Sequence, residues 1–362
     1  MAVNLHDKYA KEIQTKFVKE SLLAGRLSTE YSFVGVKTVK VSTPQTVAMG
    51  NYTRSGTNRY GTPTEIQDIV QELTLSQDKS FALTIDKGNN ADQSNTKAAG
   101  KMLALQISEQ AIPTMDKYGF EQLALKAGKI AGNSTALTKA NVCGQVLAGT
   151  THLDDAEVPD EGRTLFVPSA TYALLKQSTE FLGNEKLSYK VVAKGQVGEY
   201  DGMAVVKVPS GRWPANVNFI IVHKRAATMP VKLNDTKLHE DPPGISGNLL
   251  EGRQYYDLFV FGAKCDAVYV EVNTGQNKGT VCAAPVIATA ANSPVAVGDF
   301  SSTTDGVTFK YTTDGTDPRY SNTAVVGAAS AVTTAGTVIK AYCYKTGAYP
   351  SAVTTATIPK AE

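Results

Sequence analysis

The sequence lacks paired cysteines, long apolar runs and blocks of like charge. Its four cysteines are scattered with no CxxC spacing, so we expect buried free thiols in a reducing compartment. A disulfide between Cys282 and Cys343, which share the last part of the chain, is the alternative. The first 27 residues hold no apolar run, which predicts neither a signal peptide nor a membrane span. The balance of 36 basic and 34 acidic side chains supplies no basic segment for coating nucleic acid.

Motifs that carry chemistry are also missing. The four histidines lie far apart with no metal-ligand spacing, and the chain has neither a GxSxG elbow nor a phosphate-binding loop. The acidic stretch at residues 154–161 is interpreted as a solvated loop, since it lacks calcium-loop spacing. Asp314 and Asp317 are interpreted as Asx turns. We therefore predict no catalytic residue, no cofactor and no metal site.

Apolar periodicity predicts a helix and then a long hairpin in the first quarter of the chain. Four-residue spacing of apolar side chains predicts a helix over residues 7–23, ending at Gly25. Residues 36–42 alternate as a strand, and their predicted partner is 71–86, where the apolar side chains fall on odd positions. At about 3.3 Å per residue, the second strand would reach roughly 50 Å.

Between these strands lies a stretch, residues 43–70 and here called the arm, with almost no core-forming residues. Unstructured loops longer than about 15 residues are uncommon in compact domains. One interpretation is a flexible insertion. The other, which the long hairpin favours, is an extended arm that is buried only against a neighbouring subunit. The predicted inter-subunit contacts are Met49, Tyr52, Arg54, Arg59 and Tyr60.

The middle of the chain mixes helical and strand patterns without the regular order of a doubly wound sheet, which predicts an α+β fold. A helix over 92–111 is expected to kink or restart at Pro113 and to end at 127. Ser169 is predicted to cap a helix over 170–181. Strands are expected at 203–208, at 219–222 and in 255–272, the last broken near 263–266.

Composition shifts after Val272. Residues 273–280 are polar with two glycines, and residues 281–362, here called the C-terminal unit, show short alternating runs between turn signals. That pattern predicts an antiparallel sandwich of about 80 residues. Because the unit has its own apolar positions and turns, we expect it to fold independently, and its removal to uncover no core of the rest.

Five groups of residues, in order along residues 1–275, resemble the major capsid proteins of tailed bacteriophages with the Hong Kong 97-type fold. They are LTLSQD at 73–78 with ID at 85–86, QAIPTMD at 110–116, VPDEGRTLFVP at 158–168, YDG at 200–202 with VPS at 208–210, and LEGRQYYD at 250–257. The resemblance implies an N-arm at 1–35, an extended β-hairpin loop at 36–87, a spine helix at 92–127 and an axial domain at about 140–215, with a peripheral domain around the spine helix.

The C-terminal unit has a resemblance of its own. FKYTTDGTDP at 309–318, Ser321, TVIKAY at 337–342 and Ser351 are similar to the immunoglobulin-like module at the C-terminus of chitobiases and hexosaminidases. That module is an accessory and not the catalytic part, so it implies no hydrolase. It implies an outward-projecting immunoglobulin-like domain, for which Tyr311, Tyr320 and Tyr349 are the candidate glycan contacts.

Together the resemblances imply a structural subunit, not an enzyme. It would form the hexamers and pentamers of an icosahedral head shell that encloses double-stranded DNA without sequence-specific binding. A separate scaffolding protein, a portal and a protease are the implied partners, and the virion, after assembly in the host cytoplasm, is the implied location. An encapsulin-type nanocompartment is the alternative within this fold. A surface carbohydrate-binding protein is the alternative from another class.

Overall fold

The structure, a computed structural model, describes residues 20–31, 33, 36–47, 49–63, 65–66, 68–92, 97–178, 196–275, 278–289, 300–327 and 334–359. Its helices are α1 (Lys87–Asp92), α2 (Ala99–Gln106), α3 (Ile112–Leu125), α4 (Val142–Asp155) and α5 (Ser169–Gln177). Its strands are β1 (Thr38–Pro44), β2 (Asp68–Thr74), β3 (Gln77–Asp86), β4 (Lys129–Asn133), β5 (Arg163–Pro168), β6 (Gln196–Tyr200), β7 (Met203–Val208), β8 (Val217–His223), β9 (Ala227–Thr228), β10 (Val231–Glu240), β11 (Gly247–Tyr256), β12 (Phe259–Val260), β13 (Val268–Asn273), β14 (Val286–Ile287), β15 (Phe300–Ser301), β16 (Thr308–Thr312), β17 (Val325–Val326), β18 (Val338–Tyr344) and β19 (Thr354–Thr357).

Unbroken apolar runs make the middle of the structure a sheet that is buried on both faces. Its strand order is β4-β13-β8-β5-β7-β6. In β8, Ile220 and Val222 face a cluster formed with α3, whereas Phe219 and Ile221 face a cluster formed with α4 and α5. Burying each such side chain contributes about 1.5–3 kcal/mol. One sheet between two layers of helices is therefore the central body of a mixed α and β fold.

The helix predicted over 7–23 lies outside the described residues except for its last four. Those residues, 20–23, have no regular secondary structure and bend at 22–23, and Gly25 follows in a turn with φ of 76°. Leu22 and Leu23 are buried against α3 in the central core. The segment therefore reaches the body as packed, non-helical chain.

The helix predicted over 92–127 begins later than expected. Residues 93–96 lie outside the described residues, and the continuous part, here called the long helix, consists of α2, a π-helical turn at Ile107–Ala111, and α3. The Ile112 N–H bonds to the carbonyl of Ile107, five residues back, which defines the π turn. Pro113 directly follows the π turn, and the backbone stays helical at Ala111 and Ile112, so Pro113 neither stops nor restarts the helix.

The single strand predicted over 71–86 is wrong. β1 pairs antiparallel with β2, from Thr38↔Thr74 to Pro44↔Asp68, whereas β3 pairs with β11 in a separate three-stranded sheet. The chain changes partner at Ser76, whose N–H and Oγ bond to the Asp257 carboxylate at 2.9 and 2.7 Å. A strand cannot continue its ladder where a side chain takes the backbone donor.

The cap predicted at Ser169 is also wrong. Ser169 is the first residue of α5, after an extended Pro168, and makes no capping hydrogen bond, and the described helix ends at Gln177. The strand expected at 203–208 is β7, the strand at 219–222 lies within β8, and the break near 263–266 is a 3-10 turn at Gly262–Ala267. These three predictions are confirmed.

The described part of the C-terminal unit is all β. It contains the pair β14-β15 and a four-stranded sheet in the order β17-β16-β18-β19. A core of its own is formed by Phe300, Tyr311, Ile339, Ala341 and Ile358. The expectation that its removal would uncover no core elsewhere is wrong, however. Three of its apolar side chains pack against the core beside α3, namely Val281, Tyr320 and Tyr349.

Candidate assembly surfaces

The base of the arm is held in an apolar cluster separate from the central body. Val41 of β1 and Leu73 and Leu75 at the end of β2 are buried with Phe259 and Phe261. Apolar burial on one face of a two-stranded hairpin is needed because such a hairpin is only marginally stable alone. The cluster therefore fixes where the arm leaves the body.

Beyond that base the apolar side chains of the arm are uncovered. Met49 is 100% exposed and Tyr60 93%, and Ile66, Val47 and Tyr52 follow at 68, 63 and 51%. The rings of Tyr52 and Tyr60 contact each other with centroids 5.0 Å apart. Contiguous exposed apolar groups on a soluble chain mark an interaction surface.

The tip of the arm is nevertheless an ordered turn. The Thr53 N–H donates to the Arg59 carbonyl at 3.0 Å, and Arg59 Nε donates to the Gly56 carbonyl at 3.2 Å. Arg54 lies within the same turn and is exposed. All five predicted contact residues therefore lie on one exposed, partly preformed loop.

Gln71 ties the arm's second strand to the body. Its Nε2 donates to the Val260 carbonyl and its Oε1 accepts the Gly262 N–H, both at 2.9 Å. The two bonds use both ends of one amide, which fixes its orientation. Movement of β2 is thereby tied to the segment around Gly262.

Asp257 joins the arm to the long helix. Besides Ser76, its buried carboxylate accepts the Tyr118 hydroxyl at 2.7 Å, and Lys126 Nζ lies 3.9 Å away. Burial raises the pKa of Tyr118 and lowers the pKa of Lys126. The Asp257 carboxylate therefore has a structural role, because its lone pairs are occupied by donors held in fixed positions.

Asp116, on α3, receives the N-terminal segment in a similar way. Its fully buried carboxylate accepts Ser21 Oγ at 2.7 Å and the Leu22 N–H at 2.9 Å. Residues 20–22 are therefore fixed against α3 at a defined place. Sequence reasoning did not single out Asp116 or Asp257, although each is the last residue of a string that carries the family resemblance.

The sheet β10-β11-β3 offers a second open surface. Leu238, Leu250 and Leu83 lie directly opposite one another on one face, and only Leu250 is fully buried. In the described chain, neither β10 nor β3 has a further strand on its outer side. Unpaired edges of ten residues are sites where another chain can add. The other face carries ion pairs between Arg253 and Asp78 and between Lys237 and Asp235, and His239 Nε2 lies 3.3 Å from a Glu251 carboxylate oxygen.

An open cleft of about 610 Å³ lies where α4 ends beside the loop after β8. Its lining includes His223 and three residues of each charge, so the two signs balance: Glu157, Glu161 and Asp266 against Lys224, Arg225 and Lys264. His223 Nδ1 accepts the Arg225 N–H at 3.2 Å, so its Nε2 carries the proton toward the Glu161 carbonyl at 3.0 Å. Both ring nitrogens are thus engaged by backbone, and burial lowers the pKa of His223. The histidine is therefore a structural one.

No arrangement for catalysis is found within the described ranges. No cluster of three or more His, Cys, Asp or Glu there could hold a metal. The four thiols are free and buried, and burial raises the pKa of Cys265 to about 12, which keeps it protonated. The described helices include none with the length and apolar character needed to cross a bilayer.

The three tyrosines assigned to glycan contact all have partners within the chain. Tyr311 is buried in the core of the C-terminal unit, with 2% exposure. The hydroxyls of Tyr320 and Tyr349 donate to the carbonyls of Lys126 and Ala215, both at 2.6 Å. Glycan contact finds no support in the placement of these rings.

Comparison with known proteins points in one direction. No protein-family model and no curated protein matches the chain. Among solved structures, a chain of Mycobacterium phage Che8 is 16% identical, with a TM-score of 0.56 over 76% of this chain and 100% of that one. The capsid structure of Cyanophage P-SCSP1u is 13% identical, with a TM-score of 0.56 over 76% of this chain and 94% of that one.

The asymmetric unit of the bacteriophage PhiM1 mature capsid gives a similar result. It is 13% identical, with a TM-score of 0.56 over 75% of this chain and 93% of that one. At such identities the likeness establishes the fold alone. The chain therefore shares its fold with phage capsid chains over about three quarters of its length, while the rest has no counterpart in them.

Proposed function

We propose that this chain is the structural, non-enzymatic subunit of a tailed-phage head shell. The observation that carries the proposal is the capsid fold, which spans nearly the whole of the capsid chains it matches. The exposed arm supports it further, since the described residues leave Met49 and Tyr60 uncovered and available to another chain. Obligate interfaces of about 2,000–5,000 Å² would then close a symmetric shell.

In finer detail we assign the chain to the Hong Kong 97-type architecture. Residues 1–35 are then the N-arm and 36–87 the extended loop, and the long helix takes the place of the spine helix. The axial domain lies at about 140–215, and the C-terminal unit is an immunoglobulin-like domain on the outer surface. The anchored base and uncovered tip of the arm are what this assignment requires.

The partners follow from that assignment. Copies of the chain form hexamers and pentamers, assembled in the host cytoplasm with a separate scaffolding protein, a portal and a protease. The shell encloses double-stranded DNA without reading its sequence, in keeping with a formal net charge of only +2. An encapsulin-type compartment would need the same fold but no genome, and the long arm favours the phage shell. A surface carbohydrate-binding role has less support, because Tyr311, Tyr320 and Tyr349 are engaged within the chain.

Deleting residues 46–66 tests the role of the arm. Pro44 and Asp68 are paired across the hairpin, so a short Asn-Gly turn can join residue 45 to residue 67 without strain. The shortened chain should keep the circular dichroism and unfolding midpoint of the parent but form no stable particles by light scattering. A shortened chain that misfolds, or one that assembles normally, would contradict an assembly role for the arm.

A further inference from the structure

The connection after the long helix is held by a side chain from the C-terminal unit. Arg319 Nη1 donates to the carbonyls of Ala127 and Gly128 at 3.1 and 2.7 Å, between the end of α3 at Leu125 and the start of β4 at Lys129. A cation is also favourable near the C-terminal end of a helix dipole. Arg319 therefore fixes this connection from about 190 positions away in sequence.

Asp317 fixes the orientation of the Arg319 guanidinium. Asp317 accepts Arg319 Nε at 3.1 Å through Oδ1 and Nη2 at 2.7 Å through Oδ2, and it also accepts the Arg319 N–H. The Arg319 side chain is only 13% exposed. Bidentate pairing of this kind fixes the plane of the fork, so its remaining donors point at the carbonyls.

Tyr320 forms the second part of the contact. Its hydroxyl donates to the Lys126 carbonyl at 2.6 Å, and its ring lies against Gly262. A Cβ added at Gly262 would stand 2.9 Å from the Tyr320 Cβ, closer than real Cβ contacts allow. Glycine at 262 is therefore what admits the tyrosine.

Gly262, against which Tyr320 packs, is hydrogen-bonded to the base of the arm. The Gly262 N–H is the donor held by Gln71 of β2, and Gln71 also holds the Val260 carbonyl. A single residue, Gly262, therefore contacts both Tyr320 of the C-terminal unit and Gln71 of β2, the strand that carries the arm. Tyr349, by contrast, contacts the Ala215 carbonyl and reaches neither Gly262 nor Gln71 by a hydrogen bond.

We propose that the C-terminal unit is an internal brace, docked on the end of its own chain's long helix, that holds the arm's base strand in place. It acts through Arg319 on the two carbonyls that follow the helix, and through Tyr320 on Gly262, whose N–H is held by Gln71. The brace is a property of a single subunit and does not depend on the shell. Its consequence for assembly rests on the proposed function.

Hydrogen exchange of the full-length, unassembled subunit tests the brace. Arg319→Ala combined with Tyr320→Phe should speed exchange of the β2 amides, residues 68–74, by at least about tenfold, because charge-assisted bonds to the helix end are lost. Gly262→Ala should do the same by displacing Tyr320, while leaving Arg319 and Asp317 intact. Tyr349→Phe is the matched control and should leave β2 unchanged.

Limited proteolysis of the same proteins reports on docking itself. The double variant should be cut between residues 275 and 281 faster than the parent, while the exchange of β16 and β18 shows that the unit stays folded. Faster cleavage with unchanged exchange in β2 would overturn the coupling to the arm. Unchanged cleavage and exchange in both variants would overturn the docking. Neither result bears on whether the chain forms shells, which is measured separately.

Discussion

The guanidinium of Arg212 and the carboxylate of Asp116 form a buried ion pair, with Nη1 and Oδ2 2.8 Å apart. Their side chains are 7% and 0% exposed. Arg212 also donates to the Glu20 carbonyl at 3.0 Å, so the pair clamps the N-terminal segment onto the long helix. A buried charge that loses its partner is costly, which makes this clamp a measurable feature.

Replacing Asp116 by Asn should lower the free energy of unfolding by about 3–5 kcal/mol, because Arg212 would remain buried without its counter-charge. The matched control is Asp78→Asn, which removes the exposed pair with Arg253 and should change the free energy of unfolding far less, because solvent screens that pair. Urea unfolding of the unassembled subunit measures both. An equal loss of unfolding free energy in the two variants would show that the buried pair stabilises the subunit no more than the exposed pair does.

Acidification should destabilise the subunit through its buried histidines. Burial lowers the pKa values of His223 and His152 in the folded chain, so the unfolded chain binds protons more readily below its own pKa of about 6.5. Stability from these groups is therefore present above that pH and is lost as the pH falls through it. We expect the urea midpoint to fall between pH 7.5 and 5.5, and to fall less in His223→Gln. An equal fall in that variant would exclude His223 as a source.

The four cysteines should be unreactive in the native subunit. All are buried and free, and the raised pKa of Cys265 removes its thiolate at neutral pH. Titration with a thiol reagent should detect almost no reactive thiols in the native protein. After denaturation without reductant it should detect all four thiols. A count of two after denaturation would instead reveal the disulfide between Cys282 and Cys343 that the sequence left open.

Mature particles should contain no lysine–asparagine crosslink through the arm. Some capsid proteins of the resembled family make such a bond from a lysine on the arm. Residues 43–78 of this chain contain no lysine, and arginine cannot replace it in that reaction. A denaturing gel of particles should show a single subunit band. A ladder of linked subunits would contradict the prediction.

Local pattern predicted those elements whose apolar residues are buried by near neighbours. β7 and β8 follow from their apolar runs, and the exposed arm follows from the shortage of such residues between 43 and 70. The break at Ser76 could not be predicted, because its cause, Asp257, lies 181 residues away. A period of two gives the face of a strand but not the partner along its edge.

The C-terminal unit shows the same limit. Its β character follows from composition, but the sequence leaves open which of its tyrosines lie in the core and which are available to a glycan. Tyr311 lies in the unit's own core, while Tyr320 and Tyr349 reach the central body. Long-range docking of this kind leaves no periodic signal, and only the unusual Asp-Pro-Arg-Tyr sequence at 317–320 marks the place.

Electron microscopy of the expressed full-length chain tests the central claim most directly. The account predicts closed shells, or hexameric and pentameric capsomers, for the parent chain. A matched variant with Met49, Tyr52 and Tyr60 all changed to Ser should fold but form far fewer particles, because those side chains are exposed in the single chain. A parent chain that stays strictly monomeric under every assembly condition, by microscopy and light scattering, would contradict the account.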